Sequence, residues 1–315
     1  MPGSESLSCR HSPSLLVLGA ALAHAAWNVL AHGTSRLGLP FLWCGALVST
    51  LLWVGVVPLT GGFTPADAGG FLLGIAVSAV LHVAYMLVLQ SGYRVGNLST
   101  VYATARGTGP LLAVVAAIAL LGERPSTVAL VGVVAVVAGV VAIGLVDRRG
   151  AGRTGSQSIP GATPALGRSR SPRRLDPGIL FGLLTGVAIA AYTIWDAHAV
   201  RAWDISPVAF MVGCTALEVP LFSVLLLARR RHRDVVAVAR ATWRQLVAFG
   251  ILSPLSYILV LTAITIAPVA LVALMRELSV VLVSLFGAFV LREGSPVARV
   301  AASAVVAGGI VLLAM

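Results

Sequence analysis

From Val101 to Ser126 the chain reads VYATARGTGPLLAVVAAIALLGERPS, and from Ala273 to Glu293 it reads ALMRELSVVLVSLFGAFVLRE. Each run is apolar enough, and long enough, to cross a hydrocarbon layer roughly 30 Å thick as a helix. Each also carries an arginine near its start and a glutamate at its end. Arg106 and Glu123 stand 17 residues apart, and so do Arg276 and Glu293, the second pair displaced from the first by 170. An arginine inside a membrane helix is costly, so it is rare and carries meaning where it occurs. Two such spans with one internal spacing point to a membrane unit encoded twice.

Further matches fall in the same order at nearly the same offset. Trp27-Asn28 recurs as Trp195-Asp196 at 168, AVVAG at Ala135–Gly139 recurs at Ala304–Gly308 at 169, and Tyr85 matches Tyr257 at 172. Ala and Val repeat by chance in a chain this apolar; four ordered matches indicate duplication. Ten spans are predicted, at about residues 14–32, 38–59, 69–90, 97–121 and 127–146, then 178–200, 205–228, 245–266, 267–291 and 296–315. The expected organisation is a polar N-terminus (1–13), a first five-helix repeat (14–146), a linker (147–177) and a second repeat (178–315). The linker holds SRSPRR, SQSIPGATP and seven arginines, and it has too little apolar surface to offset its chain entropy, so it is expected to be flexible. Five spans per unit is an odd number, so the copies must enter the membrane from opposite sides. The expected fold is therefore an all-α membrane protein of two inverted five-helix repeats, an architecture that recurs in carriers.

Composition agrees. The chain is 58% hydrophobic and 10% charged, with a mean hydropathy of +0.97, whereas a soluble domain holds about 25% charged residues. All 22 basic residues are arginine, a usage that suggests a GC-rich bacterial genome and hence a cell inner membrane. A nucleic-acid partner is not expected, because most arginines sit in short inter-helix segments without interleaved aromatics. Cys9, Cys44 and Cys214 are scattered and give neither a disulfide framework nor a metal-ligand spacing. The apolar run after the polar first 13 residues is too long for a signal h-region, so no cleavable signal peptide is expected. No metal or cofactor is expected; the partners are a small-molecule substrate and membrane lipid, for a monomer or homodimer.

These residues resemble the EamA-type branch of the drug/metabolite transporter superfamily: HAAWN (His24–Asn28) in the first helix, the arginine, mid-helix proline and terminal GER of the fourth, and the weaker copy in the ninth. The resemblance covers nearly the whole chain except the polar N-terminus and the linker. It implies a central cavity and alternating-access transport, often export, of amino acids, metabolites or drugs. The second copy departs from the first, with Val280 aligned to Pro110 and Glu277 to Gly107.

Candidate substrate-binding residues follow from polar groups set in apolar spans. Arg106 and Arg276 would hold a carboxylate through forked donors, or else serve as structural ion-pair partners. His24, Trp27 and Asn28 share one helix face, and Tyr192, Trp195 and Asp196 repeat the arrangement, either lining a wet cavity or forming an interfacial belt. Tyr102 shares the face of Arg106, which lies four residues on. Tyr85 and Tyr257 complete the set, with packing as their alternative role, and His82 is read as structural. Glu277 and Glu218 are the proton-coupling candidates, because a carboxyl removed from water can be carried in its neutral form. Consecutive helical residues point about 100° apart, so Arg276 and Glu277 are not expected to face one point together. Pro110 has no N–H to give to the carbonyl of Arg106. Gly70/Gly74 and Gly182/Gly186 are read as close helix packing, and Glu123 and Glu293 as surface or capping residues at helix ends.

Outside the spans, 3 arginines fall on the side of the termini and 17 on the side of the linker. The positive-inside rule then puts the linker in the cytoplasm and both termini outside, whereas the resemblance implies cytoplasmic termini. A secondary transporter of a small metabolite, amino-acid-like or carboxylate-bearing, is the leading expectation. A flippase for a lipid-linked head group is the alternative. An intramembrane enzyme ranks last, for the chain has no HExxH, GxSxG or paired intramembrane aspartates.

Overall fold

The computed structural model describes residues 5–30, 37–63, 67–95, 98–154, 177–290 and 296–314. Without water in the hydrocarbon, a spanning segment must satisfy its backbone internally, and every long apolar run here does so as a helix. The first half gives α1 (Glu5–Leu30), α2 (Leu39–Trp53), α3 (Ala68–Val95), α4 (Leu98–Leu121) and α5 (Thr127–Thr154). The second gives α6 (Pro177–Ala202), α7 (Pro207–Ala228), a short α8 (Asp234–Ala241), α9 (Trp243–Ile266), α10 (Val269–Met275), α11 (Leu278–Phe289) and α12 (Pro296–Ala314). Among the described residues there are no strands. Among the described residues nine stretches are long and apolar enough to span a membrane, and Pro13–Trp27 within α1 is a shorter apolar one. The protein is an all-α, multi-pass membrane protein.

Several boundaries differ from expectation. α1 begins at Glu5, inside the polar N-terminus, and α5 runs to Thr154, eight residues into the segment read as linker. The remainder of that segment, residues 155–176, lies outside the described residues. α2 tightens into a 3-10 turn from Val54 to Thr60, closed by Gly61 at φ 102°. Between α9 and α10, Ala267 is extended and Pro268 follows, so the eighth and ninth spans part where the sequence placed them. The ninth span is itself broken at Arg276-Glu277, which no sequence signal announced. Arg299, counted with the loops, instead sits in the first turn of α12, 6% exposed, its Nη1 3.4 Å from the Ser284 carbonyl.

Packing joins the halves by matched pairs. α1 lies on α9 as α6 lies on α3; α2 meets α9 as α7 meets α3. α4 packs on α6, and α10 and α11 on α1, while α5 pairs with α12 and α2 with α7. Small residues permit the closest seams. A Cβ at Gly182 would stand 2.6 Å from Thr104 Cβ, and one at Gly132 2.6 Å from the Gly309 carbonyl. The Gly70/Gly74 and Gly182/Gly186 pairs are therefore packing glycines, as read. Leu15, Leu72, Val134, Leu183 and Val311 stand exposed on the outer surface, where lipid would be their solvent.

Candidate functional site

The polar residues that the apolar spans carry converge inside the bundle. Arg106 projects from α4 with its side chain 12% exposed, and Nη1 donates to Glu277 Oε1 at 3.1 Å. Its Nη2 lies 2.5 Å from His24 Nε2 on α1, and its guanidinium lies over the Tyr102 ring, 5.4 Å from the centroid. His24 also faces Trp27, whose Nε1 donates to Nδ1 at 3.3 Å. A neutral imidazole has one acceptor nitrogen, so His24 accepts from Arg106 or from Trp27 but not from both.

Glu277 is 2% exposed, and its second oxygen, Oε2, has no hydrogen-bond partner. It sits in the break between α10 and α11, where Glu277 N–H donates to Leu274 O, and Ser279 N–H to Arg276 O, in tight three-residue turns. Arg276 and Glu277 were not expected to face one point together, and Glu277 meets α4 while Arg276 meets α9, its guanidinium 5.7 Å from the Tyr257 ring centroid; both still border one cavity. Buried Arg276 Nε has no acceptor, and no carboxylate of the described residues lies within 4.0 Å of this guanidinium. Two fixed positive charges thus share one carboxylate.

That cavity, bordered by Arg106, Pro110, Thr193, Ala273, Arg276 and Glu277, is about 20 Å³. A single water fits such a space, while pockets for small organic ligands run to roughly 300 Å³ or more. Arg106 and Arg276 each keep part of their surface exposed beside it. Pro110 borders the cavity from an α4 that stays helical on both sides of it.

A second polar group adjoins the first through Tyr257. Its hydroxyl donates to Asp196 Oδ2 at 2.5 Å. Asp196 is 0% exposed, Oδ1 has no hydrogen-bond partner among the described residues, and His82 Nε2 stands 3.9 Å from Oδ2. His82 Nδ1 is 3.0 Å from the Ser78 carbonyl and 3.2 Å from the Ser78 hydroxyl, so either tautomer finds a partner on α3 while Nε2 faces the carboxyl. The imidazole stacks on Tyr192 with centroids 4.3 Å apart, and Tyr85 meets Tyr192 edge-on at 5.5 Å.

His24, Trp27, Tyr102, Arg106, Arg276 and Glu277 therefore lie together, and Asp196, Tyr257 and Tyr85 lie in the adjoining group. Trp27 also packs edge-on against Phe249. The side chain of Asn28 lies outside the described residues. Trp195 turns away: its Nε1 donates to the Gly74 carbonyl at 3.0 Å and its ring packs beside Trp203. Glu218 sits on α7, in electrostatic range of Asp196 and away from the arginines. His82, read as structural, is the residue that sequence reasoning missed; the polar partner across α6 that gives it a role is invisible in a one-dimensional pattern. No group of three or more His, Cys, Asp or Glu among the described residues is placed to hold a metal ion.

Comparison with known proteins follows this geometry. A solved crystal structure is similar over 96% of this chain and 96% of its own, with a TM-score of 0.68 and 17% identity, a likeness that concerns the fold alone. No curated protein sequence matches. Residues 176–315, which include Arg276 and Glu277, match the EamA-like transporter family, so the resemblance read from the motifs is borne out over the second half of the chain.

Proposed function

We propose that the protein is a secondary transporter that moves a small carboxylate-bearing or other anionic metabolite across the cell inner membrane by alternating access, with export the direction that the family resemblance suggests. The observation that carries this reading is the charge count at the cavity: Arg106 and Arg276 against Glu277 alone. A guanidinium without a counterion in a low-dielectric site is expensive, and a substrate carboxylate would supply the missing charge with two parallel hydrogen bonds. Arg106 is engaged by Glu277, so Arg276 is the primary anchor. The cavity is too small for a metabolite as it stands, so the solute enters only when helices part on one side. The recurring helix pairs between the halves support two equivalent packings, which inverted repeats would provide.

Uptake into proteoliposomes against a panel of carboxylates and amino acids, with and without a pH gradient, tests this. Arg276→Ala should lower uptake of the accepted anion about 100-fold, the worth of roughly 3 kcal/mol for a charge-assisted contact, while the protein stays monodisperse. Wild-type uptake by Arg276→Ala, or uptake confined to neutral and cationic solutes, would overturn the anion assignment.

A further inference from the structure

We propose that Asp196 on α6 is a proton-binding site, taking the proton on Oδ1, with His82 on α3 and Tyr257 on α9 as the residues that position it. As a route for coupling, this rests on the carrier reading; as a site that binds a proton, it does not.

Glu277 and Asp196 are both buried carboxyl groups with one oxygen lacking a partner, and what faces each of them separates their roles. Glu277 is ion-paired to Arg106 at 3.1 Å, and Arg276 is its chain neighbour. Guanidinium groups do not give up their protons, so protonating Glu277 would break a buried pair and leave two positive charges in the cavity. Asp196 faces no such fixed charge. From α3 it meets His82 and the hydroxyl side chain of Ser78, from α9 the Tyr257 hydroxyl, and from α7 Cys214 and Glu218 within electrostatic range. From α4, which packs on α6 as well, the charged side chain is Arg106, occupied by His24, Glu277 and Tyr102. Just past α10, Arg276 is separated from Asp196 by the Tyr257 ring. A proton arriving at Oδ1 therefore disrupts no ion pair with a permanent charge.

The contacts are consistent with this. His82 Nδ1 is held at the Ser78 carbonyl and hydroxyl, which turns Nε2 toward the carboxyl, 3.9 Å from Oδ2. Oδ2 keeps the Tyr257 hydroxyl as donor in either state. Upon uptake an O–H bond forms at Oδ1, the carboxylate charge is lost, and Oδ2 becomes a carbonyl that is still hydrogen-bonded by Tyr257. Because the Tyr257 ring also carries Arg276 on its face, one side chain touches both the proton site and the anion anchor. Neutralising Asp196 and loading an anion on Arg276 are thereby joined through a single residue, as anion–proton symport or exchange requires.

Infrared difference spectra of the purified protein, recorded between alkaline and acid pH in H₂O and D₂O, read the site without any substrate. Acidification should raise, beside the broad carboxyl absorption of the exposed acidic residues, a narrow protonated-carboxyl C=O component that is absent from Asp196→Asn and retained in Glu277→Gln and Glu218→Gln. In Tyr257→Phe this component should move to higher wavenumber, because Oδ2 loses its hydroxyl donor; this variant keeps the test decisive if Asp196→Asn does not fold. No narrow component in the wild type, its persistence in folded Asp196→Asn, its loss in folded Glu277→Gln or Glu218→Gln, or an unmoved component in Tyr257→Phe would each overturn the proposal. A band that behaves as expected in a protein that transports no anion would sink the carrier reading and leave the proton site standing.

Discussion

Arg276 and Glu277 are chain neighbours, yet their surroundings predict opposite responses to mutation. Glu277 balances Arg106, and removing one partner of a buried ion pair costs about 3–5 kcal/mol, because the other charge is stranded. Glu277→Gln should therefore lower the unfolding temperature of the detergent-purified protein markedly. Arg276→Ala removes a charge that has no carboxylate within 4.0 Å among the described residues, so it should leave that temperature unchanged or raise it. A larger loss in Arg276→Ala than in Glu277→Gln would contradict the charge count. The sequence revealed these residues because a charge in an apolar run stands out whatever the fold. It did not reveal their partners: Arg106 and Glu277 are 171 positions apart, and no periodicity says which helices meet. Trp195 shows the converse, since its repeat match to Trp27 suggested cavity lining, while its indole bonds to the Gly74 carbonyl in a helix seam.

Among elements, α10 depends on a neighbour. A carboxylate at a helix N-terminus satisfies amides that have no intrahelical acceptor and meets the positive end of the dipole. Glu123, at the end of the GER motif's helix, supplies it across the bundle, accepting from Val269 N at 2.6 Å and from Ala270 N at 3.0 Å. Arg201 closes the arrangement from α6: its Nη1 lies 3.5 Å from Glu123, and it donates to the carbonyls of Ile264 and Ala267. Glu123→Ala should cost about 1–2 kcal/mol, the upper range for a lost cap, and should speed hydrogen exchange at Val269 and Ala270 above that in Arg201→Ala. Equal exchange in the wild type and Glu123→Ala would show that the cap is idle. A capping role for Glu123 was readable from its place at a helix end, though the helix it caps was not. Its repeat mate Glu293 lies outside the described residues. The break at Arg276-Glu277 was illegible for a different reason. Helix breaks are read from glycine and proline, and this one has neither, whereas α4 carries both Gly107 and Pro110 and remains one helix. What marks the break is its position, where Glu277 reaches the Arg106 guanidinium.

At the scale of the whole molecule, the offset repeats give a duplicated helical bundle as the expectation, and helices α1, α3 and α2 of the first half meet α9, α6 and α7 of the second in matching pairs. Whether the copies are threaded in opposite directions depends on the number of crossings in each, and α1, whose apolar part is the shorter Pro13–Trp27, decides it. If α1 crosses, each half crosses five times, both termini share one side, and the end of α5 lies on the other. If α1 enters the bundle without crossing, the first half crosses four times and the N-terminus joins the side of the end of α5. The arginine distribution gives the sides: although Arg299 is withdrawn into α12, the linker and the run from Arg229 to Arg244 keep the excess on one face, which the positive-inside rule assigns to the cytoplasm. Native Cys9 is a ready probe for the N-terminal side, and Ser158→Cys in a Cys9→Ser background is one for the linker, since Cys44 and Cys214 are buried. A membrane-impermeant thiol reagent applied to intact spheroplasts should label Cys9 and spare the thiol introduced in the linker, which should react only after permeabilisation. Labelling of both or neither would remove α1 from the spans and with it the inverted pair. Labelling of the linker thiol alone would keep the inverted pair and reverse its orientation, to the cytoplasmic termini that the family resemblance implies.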